Sequence, residues 1–163
     1  MCKNAAVVFS AEYSEHARHA MQQALELAVT AATDGEVPVG AVIYDNDGTI
    51  IGEGYNRVIA NSDVSAHAEM AALRAACRVR HNYRLPDCHL AVTLEPCAMC
   101  AGAIFHARLR SVIYATADPK TGALGSVSAL HKERKFNHHT EVASGLYADE
   151  AAAVLRDFFR QRR

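Results

Sequence analysis

The sequence predicts an α/β fold: a mixed sheet held between layers of helices. Three observations carry this. A helical stretch precedes two apolar strands joined by a tight turn. Helix-period and strand-type segments then alternate to the end of the chain. Half of the 163 residues are hydrophobic, enough for a real core, and a domain of this size buries roughly 70% of the surface its unfolded chain would expose. No internal repeat and no Gly/Ser- or Pro-rich linker divides the chain, so a single domain over residues 1–163 is expected.

Each element has a local reason. From Tyr13 to about Thr33, the residues Ala17, Met21, Ala24, Leu25, Ala28 and Val29 recur on a helical period, and Asp34-Gly35 stops the helix. Val39 to Tyr44 reads as a buried strand, Asp45-Asn46-Asp47-Gly48 as a turn, and Ile50 to Tyr55 as the second arm of a hairpin. Ser65 is a candidate N-cap for a helix from Ala66 to about Val79. His89 to Leu94 is a third strand. Pro96, tolerated in a first helical turn, opens a helix that ends near Leu109. Ser111 to Ala115 is a fourth strand and Val142 to Leu146 a weaker fifth. The last helix runs from Asp149 to about Arg160, with Ala152, Leu155, Phe158 and Phe159 as its apolar stripe.

Composition excludes several classes. No apolar stretch approaches the ~18 residues a membrane-spanning helix needs, and the run from Ala5 to Phe9 is too short for a signal-peptide core. Five cysteines cannot all pair, which agrees with a cytoplasmic setting. The net charge is only −1 but unevenly spread: three basic and ten acidic residues up to Leu73, fourteen basic and eight acidic from Arg74 onward. Such asymmetry marks either a surface that meets a polyanion or ordinary solvated surface.

One constellation carries chemistry: His67-Ala68-Glu69, then, 26 residues on, Pro96-Cys97-Ala98-Met99-Cys100. Cys97 and Cys100, three apart at a helix start, bring their sulfurs to one face, where the helix dipole favours thiolates. His67 supplies a nitrogen from a separate helix. One imidazole and two thiolates are good zinc ligands and leave a fourth tetrahedral position for water, the pattern of a catalytic site. Zinc brings the pKa of such water to about 7, and Glu69 is placed to move the protons. Taken singly, Cys-x-x-Cys could be a redox pair or half of a structural site, His67 a hydrogen-bonded histidine, and Glu69 a carboxylate at a helix start. The joint pattern is far more specific. Cys2, Cys77 and Cys88 are not expected to be ligands.

With these residues the sequence resembles the cytidine deaminase-like superfamily, and within it the bacterial tRNA-specific adenosine deaminases; the signature is an established one for zinc deaminases. The resemblance runs from about Tyr13 to Arg163, through Glu36-Val37-Pro38-Val39-Gly40, Gly52-Glu53-Gly54-Tyr55-Asn56-Arg57, both zinc segments, Asp118-Pro119-Lys120-Thr121-Gly122-Ala123-Leu124-Gly125-Ser126 and Asp157-Phe158-Phe159-Arg160. It implies a three-layer α/β/α fold with a five-stranded mixed sheet, one Zn2+ per subunit held by His67, Cys97 and Cys100, proton transfer by Glu69, and a homodimer. It also implies that Asn56 hydrogen-bonds the flipped base, with Val39 and Ala68 beside it. Read from its place alone, Asn56 could equally close the turn after its strand. Tyr55 and Pro119 depart from the residues familiar in relatives, in places where nucleotide context would be read.

The expected reaction is hydrolytic: attack at C6 of adenine, loss of ammonia and formation of inosine, at the wobble position of a tRNA anticodon, with an arginine tRNA as the expected partner. An anticodon loop presents bases already single-stranded. Lys120, Lys132, Arg134, Lys135, His138, Arg160, Arg162 and Arg163 are candidates for phosphate contacts, and Asp118 lies in the same loop as Lys120. Phe158 or Phe159 could stack on bases, although one of two adjacent phenylalanines on an amphipathic helix belongs to the core. The rival readings are a deaminase of free bases or nucleosides, a structural zinc module that binds RNA, and a thiol-redox protein.

Overall fold

A computed structural model of the chain describes residues 13–162. The elements follow the order α1 (Glu15–Thr33), β1 (Gly40–Asp45), β2 (Ile50–Tyr55), α2 (Val58–Asn61), α3 (Ala68–Arg80), β3 (Cys88–Leu94), α4 (Ala98–His106), β4 (Ser111–Thr116), a 3-10 turn (Leu130–Lys132), β5 (Glu141–Ser144) and α5 (Ala148–Arg160). Five strands form one sheet in the order β2-β1-β3-β4-β5. β1 runs antiparallel to both of its neighbours, β2 and β3, with Gly40 opposite Tyr55 and Ala41 opposite Val92. β3, β4 and β5 run parallel, with Leu90 beside Val112 and Val112 beside Val142. The expected mixed α/β sheet is therefore present.

Strand alternation sorts the core into two halves. Ala41, Ile43, Leu90, Val92, Val112 and Tyr114 point to one face and meet Ala68, Ala72, Leu73 and Ala76 of α3 with Ala101, Ile104 and Phe105 of α4. Val42, Tyr44, Ala91, Ile113 and Ala115 point to the other and meet α1 and Ala151 of α5. Helices thus cover both faces of the sheet, making three layers.

Several element ends differ from the sequence reading, each for a local reason. Ser14 caps α1, its Oγ accepting from the Ala17 amide at 3.1 Å. The buried stripe of α1 is Ala17, Ala20, Met21, Ala24, Ala28 and Ala31, which turns Val29 outward and leaves Leu25 at the edge. Ser65 does not cap α3: its amide and hydroxyl both donate to Asp63 Oδ1 at 2.8 Å. The helix starts instead after His67, where Asn56 Oδ1 accepts from the Ala68 amide at 2.9 Å and satisfies one of the free N–H groups of the first turn. Pro96 lies outside α4, which begins after Cys97 and ends at His106. Helix α2 was not foreseen from the sequence. On α5, Ala151 and Phe158 are buried while Phe159 is exposed.

Small residues set how close α3 sits to the sheet. A Cβ added to Gly54 would lie 2.5 Å from the Ala68 carbonyl oxygen, and one added to Gly52 would lie 2.8 Å from the Ala76 nitrogen. Only glycine lets β2 approach the helix backbone so closely, and that approach draws the first turn of α3 onto the sheet. No described helix is long and apolar enough to cross a membrane.

Candidate active site

Two helix starts face one another. α3 begins beside β2, and α4 begins where β3 ends. His67 is the N-cap of α3 and Cys97 the N-cap of α4, both with extended backbone, and Cys100 lies in the first turn of α4. His67 Nδ1 is 3.7 Å from Cys97 Sγ and 3.5 Å from Cys100 Sγ. One donor atom from each of the three residues lies within 4.8 Å of the others, and among the described residues no fourth His, Cys, Asp or Glu joins them. The Cys97 thiol is held down to about 4 by hydrogen bonds from Cys100 and His67, against the opposing effect of burial. A thiolate is the metal-binding form of cysteine. Two soft sulfurs and one imidazole nitrogen at this spacing fit zinc.

Two of the donors, His67 and Cys97, line a cavity of about 310 Å3 together with Glu36, Val39, Asn56, Glu69, Asp118 and Thr121. Glu69, one helical residue past Ala68, is only 4% exposed. Burial pushes its carboxyl up to about 7, with a smaller downward pull from its own backbone and from His67. Val39 is buried and forms part of the cavity wall. Asn56 Nδ2 donates to the Val37 carbonyl at 3.1 Å, while its Oδ1 holds the Ala68 amide. One Nδ2 hydrogen and one Oδ1 lone pair remain for a ligand. Ala68 is fully buried and packs in the core beneath the sheet; it is not among the residues that line the cavity.

The candidates for nucleic-acid contact fall in three places. Asp118 is at the cavity rim, its carboxylate accepting from the amides of Lys120 (2.9 Å) and Thr121 (3.2 Å) and from the Thr121 hydroxyl (2.7 Å). Lys120 stands exposed beside it. His138 lines a separate hollow with Phe105, Arg108, Lys135 and Phe136, and its Nε2 pairs with the Leu109 carbonyl at 2.8 Å. Lys132 and Arg134 are exposed in the same loop. On α5, Arg160 pairs with Asp157 at 3.0 Å. Phe158 is 6% exposed against 48% for Phe159. The Arg162 guanidinium covers the Phe158 ring at 3.6 Å from its centroid. Phe158 is therefore a core residue with its remaining face occupied, which corrects its reading as a stacking platform. Arg163 and Cys2 lie outside the described residues. Cys77 is half-buried and Cys88 is buried within β3; neither is near the donors.

Two buried carboxylates at the cavity carry more structure than their sequence signal suggested. Glu36 accepts from the amides of Ile59 (3.2 Å) and Ala60 (2.8 Å), pinning the start of α2 as one rim. Glu95 accepts from the amides of Asp118, Leu124 and Ser126, each at 3.0 Å, and from the Ser126 hydroxyl. Their only sequence signal was an acid abutting an apolar run, Glu36 before Val37-Pro38-Val39 and Glu95 after Val92-Thr93-Leu94.

Three protein donors with an open side, and a buried carboxylate facing the same hollow, define a metal-dependent hydrolase: a structural zinc site is usually closed by a fourth protein ligand. The match to known proteins narrows the class. Residues 14–116 match the family described as the cytidine and deoxycytidylate deaminase zinc-binding region, and the chain belongs to that family. It is 49% identical to a tRNA-specific adenosine deaminase of Haemophilus influenzae over 92% of this chain and 87% of that one. Among solved structures, a chain from a study of A-to-I editing by tRNA:A34 deaminases at the wobble position of transfer RNA superposes with a TM-score of 0.81 at 43% identity, covering 84% of this chain and 99% of that one. A guanine deaminase from Nitrosomonas europaea superposes with a TM-score of 0.73 at 28% identity, over 86% of this chain and 83% of that one.

Proposed function

We propose that this chain is a zinc-dependent hydrolytic deaminase that converts adenosine to inosine at the wobble position of a tRNA anticodon. The observation that carries the reading is the shared cavity: two of the donors, His67 and Cys97, and the buried Glu69 carboxylate line one open hollow of about 310 Å3. The resemblance to proteins named as tRNA-specific adenosine deaminases favours adenosine in tRNA as the substrate.

In this reading His67 Nδ1, Cys97 Sγ and Cys100 Sγ hold one zinc ion per subunit. Zinc, when bound, brings the pKa of a water molecule to about 7 and so supplies a nucleophile near neutral pH. Glu69 takes a proton as the water oxygen adds to C6 of adenine and gives it to the ring nitrogen N1. It then takes the remaining proton from the oxygen added at C6 and delivers it to the departing amine, so that ammonia leaves as the C6 carbonyl forms. A carboxyl that burial holds near 7 is suited to both accepting and giving a proton at that pH. Asn56 offers its free hydrogen and lone pair to the base edge, and Val39 gives the base an apolar wall. Lys120, His138 and Arg160 remain candidates for contact with the RNA backbone.

The same reading takes the chain as one domain acting in the cytoplasm, as a homodimer, on an arginine tRNA. The test is a matched assay: an arginine-tRNA anticodon stem-loop against free adenosine, guanine and cytidine, with digested RNA analysed for inosine. The stem-loop should yield inosine at the wobble position and ammonia in equal amount. Turnover of guanine or cytidine with the RNA untouched would instead make the chain a deaminase of free bases or nucleosides. Sedimentation at assay concentration tests the dimer.

A further inference from the structure

Glu95 stands two residues before the donor Cys97, and among the described residues no Lys, Arg or His forms an ion pair with it. Its side chain is 2% exposed. Its carboxylate is satisfied by a single loop: Asp118, Leu124 and Ser126 donate their amides to it, and Ser126 its hydroxyl. A carboxylate that accepts several N–H bonds can remain buried without a cation. Its neighbours reinforce the arrangement. The Glu95 amide donates to the Thr116 carbonyl at 2.9 Å, and the Ala123 amide to the Pro96 carbonyl at 2.9 Å. Cys97 and Gly122 form an isolated bridge. A Cβ added to Gly122 would run into the Glu95 carboxylate and lie 2.6 Å from the Asp118 carbonyl oxygen, so the loop closes around this side chain only because glycine stands there.

We infer that Glu95 is a positioning residue, a clasp whose carboxylate fixes the loop 118–126, and with it the Asp118–Thr121 rim, at a set distance from the metal-binding start of α4. This inference rests on the deaminase reading for its consequence: the clasp governs how the nucleic acid is gripped and leaves the chemical step to Glu69. Glutamine in place of Glu95 keeps shape and volume but turns one acceptor into an amide donor. Whichever way it is oriented, that donor faces loop N–H groups, and the loop must move away.

The experiment compares Glu95→Gln, Ser126→Ala and the parent chain, all zinc-loaded, in steady-state deamination of an anticodon stem-loop and in amide hydrogen exchange. Glu95→Gln should raise KM at least tenfold, change kcat by less than about threefold and keep one zinc per chain. Amides 118–126 should exchange faster while those of α4 stay protected. Ser126→Ala, which removes one of four donors, should shift KM and exchange in the same direction by less, and it keeps the test available if Glu95→Gln does not fold. Unchanged exchange in the loop would overturn the clasp. A fall in kcat or zinc content at constant KM would overturn the assigned role, because Glu95 would then be serving the metal centre itself. A parent chain that leaves the stem-loop untouched refutes the deaminase reading and with it the clasp's consequence for KM, while the loop amides still report separately on the clasp.

Discussion

His67 and Glu69 sit two residues apart at the start of one helix, and their environments give them different work. His67 is half-exposed with its Nδ1 toward two sulfurs, so its lone pair is committed to the donor set. Glu69 is buried at the same cavity and is not one of the three clustered donors. Substitution should separate the two. Glu69→Gln is expected to keep one zinc per chain and lose about 10²–10⁴-fold in turnover, the usual range for a lost acid–base group; elemental analysis beside a single-turnover assay checks both halves. His67→Ala is expected to lose zinc on dialysis, and full occupancy by elemental analysis would remove it from the donor set. Asn56 makes a subtler case. Its amide is half committed to the protein, to Val37 and Ala68, so it holds the start of α3 as well as offering groups to a base.

At the scale of elements, β2 and α3 form the platform for the site. Gly54→Ala should force the strand away from the Ala68 carbonyl, costing about 1–3 kcal/mol as overpacking does. Urea unfolding of the zinc-loaded chain measures it, and a cost under about 0.5 kcal/mol would show that the close approach is not needed. Strand assignments were legible from the sequence because alternation and apolar runs fix them: β2 has the bounds that its pattern implied, and the others shift by a residue or two at their ends. Helix starts were less legible. Ser65 looked like a cap because its type favours that place, but Asp63 takes its hydroxyl, and Asn56, just past the end of β2, does the capping. Such long-range partners leave no local trace. The same is true of Glu95, whose donors lie 23 to 31 residues further on. The donor set itself was legible because zinc chemistry restricts both residue type and spacing. The split between Phe158 and Phe159 was not, since adjacent residues on a helix differ only by 100° of rotation.

Across the whole molecule, the sheet places the acidic first half and the basic second half of the chain around one cavity. Glu36 and Asn56 come from the first half; Glu95, Asp118 and Thr121 come from the second. Exposed Lys120, Lys132, Arg134 and Lys135 lie on loops of the second half, where a polyanion can reach them. Binding of the stem-loop should therefore weaken with salt, log K falling by about 0.7 per phosphate contact for each unit of log salt concentration. A titration between low and moderate salt reads this directly; an affinity flat across that range would place the basic residues on ordinary solvated surface. The central claim is narrower still: three protein donors, and a remaining position for water beside Glu69. X-ray absorption at the zinc edge of the loaded chain tests it most directly. Two sulfurs at about 2.3 Å and two lighter atoms at about 2.0–2.1 Å, one of them displaced by a water-competing anion, are the expected result. A third sulfur, or a full shell of protein ligands that no added anion perturbs, would contradict it.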